Sequence, residues 1–323
     1  MATFSQTSPL AVPTTIDTAA LSMSLADYRK TLIDNVYNSL VILKLCDQAG
    51  TKITINGGMS VVESVIRDKQ DEGGFYLGAD ILNNTQKNTT DFVEFRWQNA
   101  YEPILITRDE ERQNSGDMHK ILNLVSTKTE LSDRALRNRL DQALSTPVGA
   151  ANNLIDLETL VNTGTLGTKA GASETFWQST VTTSGQFAAQ GLTDMITAYY
   201  AVSSSATVDN PTAFITTKTI FQKFMQTRLP LERISNGDMT ANAGFTNLTF
   251  MGKPLIYGNY ISTGLLFGLN MNYINWNVDT ETDFITTPFI SPSNQTVKVA
   301  YILLRANLTT NNRRRHFKLQ SIT

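Results

Sequence analysis

Few residues in this chain stand where their types could do chemistry. The segment TGTLGTKAG, residues 163 to 171, brings glycines, threonines and Lys169 together, the ingredients of a phosphate cradle. A phosphate-binding loop needs four residues between its first glycine and a Gly-Lys-Ser/Thr, so that backbone N–H groups wrap the phosphates while the lysine reaches them. Here the order is Gly-Thr-Lys, and the stretch reads as a turn-rich loop. Two imidazoles, His119 and His316, and one thiol, Cys46, do not make up the usual zinc ligand sets. Cys46 permits no internal disulfide and reads as a buried apolar residue. Neither histidine stands in a recognisable nucleophile motif. Asp71 with Glu72, and Glu110 with Glu111, are adjacent carboxylates in polar stretches, whereas an acid/base pair is usually presented from opposite sides of a reacting bond. The sequence recommends no enzyme, cofactor or metal site.

The remaining chemical candidate is cationic. In NLTTNNRRRHFKLQSIT, Arg313, Arg314 and Arg315 form a block that could be a nucleic-acid tail or part of a strand. With 27 Lys+Arg against 29 Asp+Glu in 323 residues, the field of the whole chain does not draw it to DNA or anionic lipid. Phe317 and Leu319 then follow at period two, which a disordered tail has no reason to do. Asn311 and Asn312 suit a two-residue turn, because asparagine tolerates the positive φ such turns need. The expectation is a terminal strand folded back antiparallel on VKVAYILL. Its arginines would pair with carboxylates, Asp109, Glu110 and Glu111 being candidates. On the long helix considered below, Arg134, Arg137 and Arg139 alternate with Asp133 and Asp141, which reads as a solvated face with local ion pairs.

The elements that must position these residues follow from periodicity. Residues 1 to about 23 are rich in Ser, Thr, Pro and Ala with no period, an extended arm without a core of its own. Ser24 and Asp27 sit at capping-box spacing before the apolar stripe Leu25, Tyr28, Leu32, Val36, Leu40 and Leu43, predicting a helix to about Cys46. Two period-two strands follow. Val61, Glu63, Val65 and Arg67 alternate with Val62, Ser64 and Ile66; Val93, Phe95 and Trp97 alternate with Phe92, Glu94, Arg96 and Gln98. Between them lies a polar segment of more than twenty residues, longer than compact domains normally tolerate. It nonetheless holds Phe75, Tyr76, Leu77, Ile81 and Leu82, apolar residues in need of a partner surface. EPILIT reads as a strand ending in the charged RDEERQ. Ser115 caps a helix to before Pro147, with Met118, Ile121, Leu122, Val125, Leu136, Leu140 and Ala143 on its apolar face and an interruption at Ser126 to Thr129.

From about residue 190 helices and strands alternate. GLTDMITAYYAVSS reads as a helix, PTAFITT as a buried strand, and KTIFQKFMQTRL as a helix ended by Pro230. A meander of strands and the long strand TVKVAYILLRANLTT complete the pattern. There is no cationic start followed by an apolar run, and no apolar stretch approaches the ~18–20 residues that span a bilayer, so a soluble, cytoplasmically made protein is expected.

From about residue 25 onward, the order of helix, long hairpin loop, EPILITRDEERQNSGD opening a long helix, IDLETLVNTGTLGT, the ASETFW segment and GFTNLTFMGKPLIYGN resembles a tailed-bacteriophage major capsid protein. The end, TPFISPSNQTVKVAYILLRANLTTNNRRRHFKL, is similar to a signature of one branch of that family. The resemblance implies an α+β fold: an N-terminal arm (1–24), an N-terminal helix region (25–54), an extended β-hairpin loop (55–106), a peripheral domain with a long spine helix (107–186), an axial domain (187–280), and C-terminal strands of the peripheral domain (281–323). It implies a structural protein of the virion, assembled in the bacterial cytoplasm as pentamers and hexamers of an icosahedral shell around packaged double-stranded DNA, which it contacts non-specifically. A separate scaffolding protein is expected, because fewer than 25 residues precede the first helix. A portal protein at one vertex and a possible decoration protein are further implied partners. Candidate inter-subunit contacts are Glu63, Arg67, Phe75, Tyr76, Leu77, Arg96, Trp97, Glu110, Glu111, Arg314 and Arg315. Some relatives cross-link a loop lysine to an asparagine; Lys69 and Lys87 are loop lysines, but no carboxylate for that reaction is identifiable and no cross-link is assumed. An encapsulin-like shell is the alternative within the same fold. A DNA-binding protein and a motif-less carbohydrate-active β protein stand outside it.

Overall fold

The computed structural model describes residues 41–68, 71–83, 85–113, 118–147, 152–203, 209–235, 248–293 and 295–323. The expected arm, the first helix up to residue 40, the Ser115 cap and Lys69 lie outside the described residues. In chain order the elements are α1 (Val41–Ala49), β1 (Lys52–Ile55), β2 (Ser60–Ile66), β3 (Thr90–Arg96), β4 (Gln98–Thr107), α2 (Arg108–Gln113), α3 (Met118–Ser145), α4 (Leu157–Leu160), β5 (Thr180–Thr183), α5 (Leu192–Val202), β6 (Ala213–Thr216), α6 (Lys218–Ser235), β7 (Thr249–Phe250), β8 (Lys253–Tyr257), β9 (Leu266–Leu269), β10 (Ile274–Asp279), β11 (Ile285–Thr286), β12 (Val297–Thr310) and β13 (Phe317–Gln320). The architecture is mixed α and β. Two compact units are each built from separated stretches of chain.

One unit combines Ala100–Asn138 with Thr282–Leu304. β4 and β11 both pair with β12, and Ile104, Ile106, Val299, Ile302 and Leu304 are buried. RDEERQ is a helix, α2, for a local reason. Thr107 and Glu110 form a reciprocal cap in which Glu110 Oε2 accepts from the Thr107 N–H and hydroxyl, both at 3.0 Å, while the Glu110 N–H donates to Thr107 Oγ1. Glu110 Oε1 takes Lys128 at 2.7 Å and the buried Glu111 takes Lys298 at 2.9 Å. Those carboxylates, expected to receive the terminal arginines, are thus held by lysines. The Lys128 hydrogen bond, then the cap, bring the Glu110 pKa down to about 2. On α3, Thr129 bridges the interrupted apolar stripe: it is buried and donates its hydroxyl to the Val125 carbonyl at 2.8 Å. Asp133, expected on the solvated face, is instead buried against Arg137. Of the expected ion pairs to aspartates, Arg137 with Asp133 forms, whereas Arg134 pairs with Glu130.

The other unit combines Asn38–Asn99 with Arg139–Glu281 and Arg305–Thr323. Its six-stranded sheet has the order β5-β13-β9-β6-β8-β7. This is not the expected meander, because β6 separates the sequential strands β8 and β9. Phe187, Met195, Tyr199, Phe214, Phe224, Phe250 and Phe317 pack one core against it. Pro230 does not end its helix; α6 runs on to Ser235, although the proline nitrogen has no hydrogen to donate. Cys46 is buried, and burial pushes its thiol pKa up to about 12.

The three arginines correct the sequence expectation most sharply. β13 does not fold back on β12. Residues 313 to 315 make a tight helical turn, and β13 then enters the six-stranded sheet, parallel to β5 and antiparallel to β9. Phe317 lies opposite Gly268, where any Cβ would overlap its ring, so only glycine fits. Arg313 is 1% exposed and meets no carboxylate. Its guanidinium donates to four carbonyls: Nε to Leu160 at 2.8 Å, Nη1 to Gly164 at 2.6 Å and Trp177 at 3.1 Å, and Nη2 to Thr159 at 2.8 Å. Arg315 donates to the Val202 carbonyl at 2.9 Å. Thr159 and Leu160 end α4 and Val202 ends α5, so both side chains satisfy carbonyls that a helix leaves open at its C-terminus. Only Arg314 of the three is exposed.

His316 is wholly buried in the same turn. Its Nδ1 accepts from the Asn270 N–H at 3.2 Å, which leaves Nε2–H to donate to Thr310 Oγ1 at 3.3 Å. Burial, reinforced by the Arg313 charge, lowers its pKa to about 3.

Two outcomes follow. Arg313→Ala strands four carbonyls and should cost at least about 3 kcal/mol in urea unfolding, with Arg313→Lys recovering only part, since an ammonium lacks the planar fork. The folded pKa of His316 is depressed, so its contribution to stability is complete above about 6.5 and is lost as pH falls toward about 3. Melting temperature followed across that window should fall, and His316→Gln should flatten the slope.

Candidate functional site: an exposed apolar hairpin

β2 and β3 form an antiparallel hairpin with Val61 opposite Phe95, Glu63 opposite Val93 and Val65 opposite Asp91. Alternation separates its faces. Val61, Val65, Val93, Phe95 and Trp97 are buried in a core shared with Leu166, Phe176 and Trp177. Val62, Ile66 and Phe92 stand exposed on the opposite face.

TGTLGTKAG is the turn on which the hairpin rests. Gly167 has φ +62 and lies so close to Val93 and the Glu94 carbonyl that a Cβ would clash. Thr168 Oγ1 accepts the Glu94 N–H at 3.2 Å, Lys169 pairs with Asp91 at 2.7 Å, and the Trp177 indole donates to the Leu166 carbonyl at 3.1 Å. Lys169 thus has its partner within this chain. Sequence reasoning found the turn and missed what it carries, since nothing local marks Gly167, between Leu166 and Thr168, as the one against the hairpin.

The root of the hairpin is polar. Glu63 Oε1 accepts from Asn275 Nδ2 at 3.0 Å and Thr309 Oγ1 at 2.7 Å, and Asn307 Nδ2 donates to the Arg96 carbonyl at 2.7 Å. Arg305 lies over the Trp97 ring at 5.1 Å, pairs with Asp279 at 3.0 Å and donates to the Gly58 carbonyl at 2.8 Å. Arg67 pairs with Glu174 at 3.3 Å and lies over Phe176. Of the candidates for inter-subunit contact, Glu63, Arg67 and Trp97 therefore make contacts within this chain. Glu110, Glu111 and Arg315 do too, as described above, while the Arg96 side chain and Arg314 are exposed.

Beyond the root, the tip is held by its own polar groups. Lys87 pairs with Glu72 at 2.7 Å, Asn83 donates to the same carboxylate, and Asp80 accepts the Leu77 N–H at 2.9 Å. The apolar side chains take no part in this closure. Phe75 and Ile81 are 110% and 99% exposed, and Tyr76, Leu77 and Leu82 are exposed as well. Full burial of such side chains is worth roughly 1.5–3 kcal/mol each, so the tip has a strong affinity for an apolar surface. Among the described residues no group of three His, Cys, Asp or Glu could hold a metal, and no helix is long and apolar enough to cross a membrane.

No protein-family model matches the chain, and no curated protein matches it by sequence. Solved structures do match. The capsid asymmetric unit of cyanophage A-1(L) superposes with a TM-score of 0.61 at 12% identity, covering 84% of this chain and 90% of that one. The capsid of a native GTA particle gives 0.57 at 10% identity, covering 99% and 96%. The holo-SrpI encapsulin complex from Synechococcus elongatus gives 0.52 at 11%, covering 84% of each chain. The chain has a fold related to that of phage capsid and encapsulin subunits.

The polar root yields a local expectation. Glu63→Ala should raise hydrogen exchange and proteolysis across 60–96 while the six-stranded sheet stays protected, at a cost of about 1–3 kcal/mol for the donors left without an acceptor.

Proposed function

We propose that this chain is a structural shell subunit, a major capsid protein that assembles as pentamers and hexamers into an icosahedral head around packaged double-stranded DNA. One observation carries the reading: a hairpin anchored at its root by buried contacts projects large apolar side chains that its own polar tip residues leave in water. A monomeric protein gains nothing from such an arrangement. In a closed shell of repeated contacts, each hairpin reaches a neighbouring copy, and the apolar tip finds its surface. The fold-level likeness to capsid subunits supports this, and no catalytic role is assigned.

In this reading residues 55–106 are the extended loop, α3 the spine of a peripheral domain completed by 281–323, residues 187–280 the axial domain, and residues 1–24 an arm laid along another subunit. Arg96 and Arg314, both exposed, are the charged residues best placed to meet a neighbour. Scaffolding, portal and decoration proteins, and the packaged DNA, are its proposed partners. The likeness to the SrpI encapsulin favours a second reading, a nanocompartment shell, which would enclose a protein cargo in place of nucleic acid.

Replacement of residues 68 to 90 by an Asn-Gly turn should leave the thermal midpoint within a few degrees of the parent, while negative-stain microscopy shows no particles. Unfolding of the shortened chain would make the loop part of the core. Normal shells would end its role in assembly.

A further inference from the structure

The short connection between β1 and β2 reads Asn56-Gly57-Gly58. Asn-Gly is the pair in which a backbone nitrogen most readily reaches the preceding side-chain amide, because glycine presents no Cβ to block the approach. The Asn56 side chain is exposed, Gly57 has φ +69, and nothing stands within 4 Å of where a Gly57 Cβ would be. The surroundings of Gly57 are thus open, and no packed group would have to move as the turn rearranges. The reacting nitrogen also faces a base: the Gly57 N–H points at Asp279 Oδ1 at 3.4 Å, a long contact that leaves the nitrogen loosely held. Asp279 is 4% exposed, and its other oxygen is fixed by Arg305 at 3.0 Å, while Arg305 also binds the Gly58 carbonyl. On the other side the Ile55 carbonyl accepts from the Thr280 N–H at 3.1 Å. The backbone on both sides of Asn56 is therefore positioned, with the carboxylate directed at the nitrogen between them.

We propose that Asn56–Gly57 is a self-modifying site at the hairpin root, with Asp279 as the base that takes the Gly57 amide proton. The Gly57 nitrogen bonds to the Asn56 side-chain carbonyl carbon. Its proton passes through Asp279 to the departing amide, which leaves as ammonia. The cyclic imide then takes up one water from solvent, breaking one of its two C–N bonds, and leaves aspartate or isoaspartate at position 56. No electrons are exchanged. The product places a new carboxylate, and in the isoaspartate form an extra backbone carbon, beside the Asp279–Arg305 pair that grips the following residue.

The full chain is incubated at mildly alkaline pH, folded and in denaturant, then digested in acid and read by mass spectrometry for amide-to-acid conversion at Asn56. Asn236–Gly237 in the denatured sample confirms that the chemistry proceeds. Conversion at Asn56 should run several-fold faster in the folded than in the unfolded chain, and Asp279→Asn should remove the excess. A folded rate at or below the unfolded rate overturns the proposal, whether or not the variant folds. So does a folded Asp279→Asn chain that reacts as fast as the parent or faster.

Discussion

The Arg313 guanidinium, held by four backbone carbonyls with no counter-ion, is the constraint on which the larger unit depends. A buried cation is expensive to desolvate, and it is tolerated when hydrogen bonds replace its lost water. Here the acceptors come from the end of α4, the turn after it and the segment before β5. One side chain thus fixes where three otherwise irregular stretches end. Ser179 tightens the same knot by donating its hydroxyl to the Arg313 carbonyl at 2.8 Å. Arg315 repeats the device at the end of α5, and His316, next in sequence, is kept neutral by burial. What reads as a basic patch is mostly internal scaffolding for loops.

That scaffolding bears directly on the hairpin. The α4–β5 stretch contains Leu166, Gly167, Lys169 and Trp177, the platform on which β2 and β3 lie. The hairpin is apolar where it rests, polar where it is pinned and apolar again at its tip. The tip's own polar bonds hold that apolar surface in water without any help from the rest of the chain.

Much of this was legible in the sequence where the signal was local. Period-two alternation located β2, β3 and the length of β12, and the misplaced lysine of TGTLGTKAG correctly indicated a turn. Thr107 and Glu110 were equally legible at capping-box spacing, yet the acidic run after them read as simple charge. The destination of β13 was not legible. Alternation at Arg313 to Leu319 fits any neighbouring strand, and its real neighbours, β5 and β9, are distant in sequence. Nor does composition reveal that arginines bind carbonyls, because every residue offers one. Asp133 follows the same pattern, because tertiary context buried a charge.

The place of β13 has a consequence in time. It lies inside its sheet, between β5 and β9, and pairs with residues translated long before it. Until residues 317 to 320 are available, both neighbours present an open edge able to recruit strands from other chains. Loop closure over such separations is slow, so this unit forms late and passes through a state at risk of aggregation. Folding of this sheet is therefore in competition with intermolecular strand pairing, and more so as the chain's concentration rises.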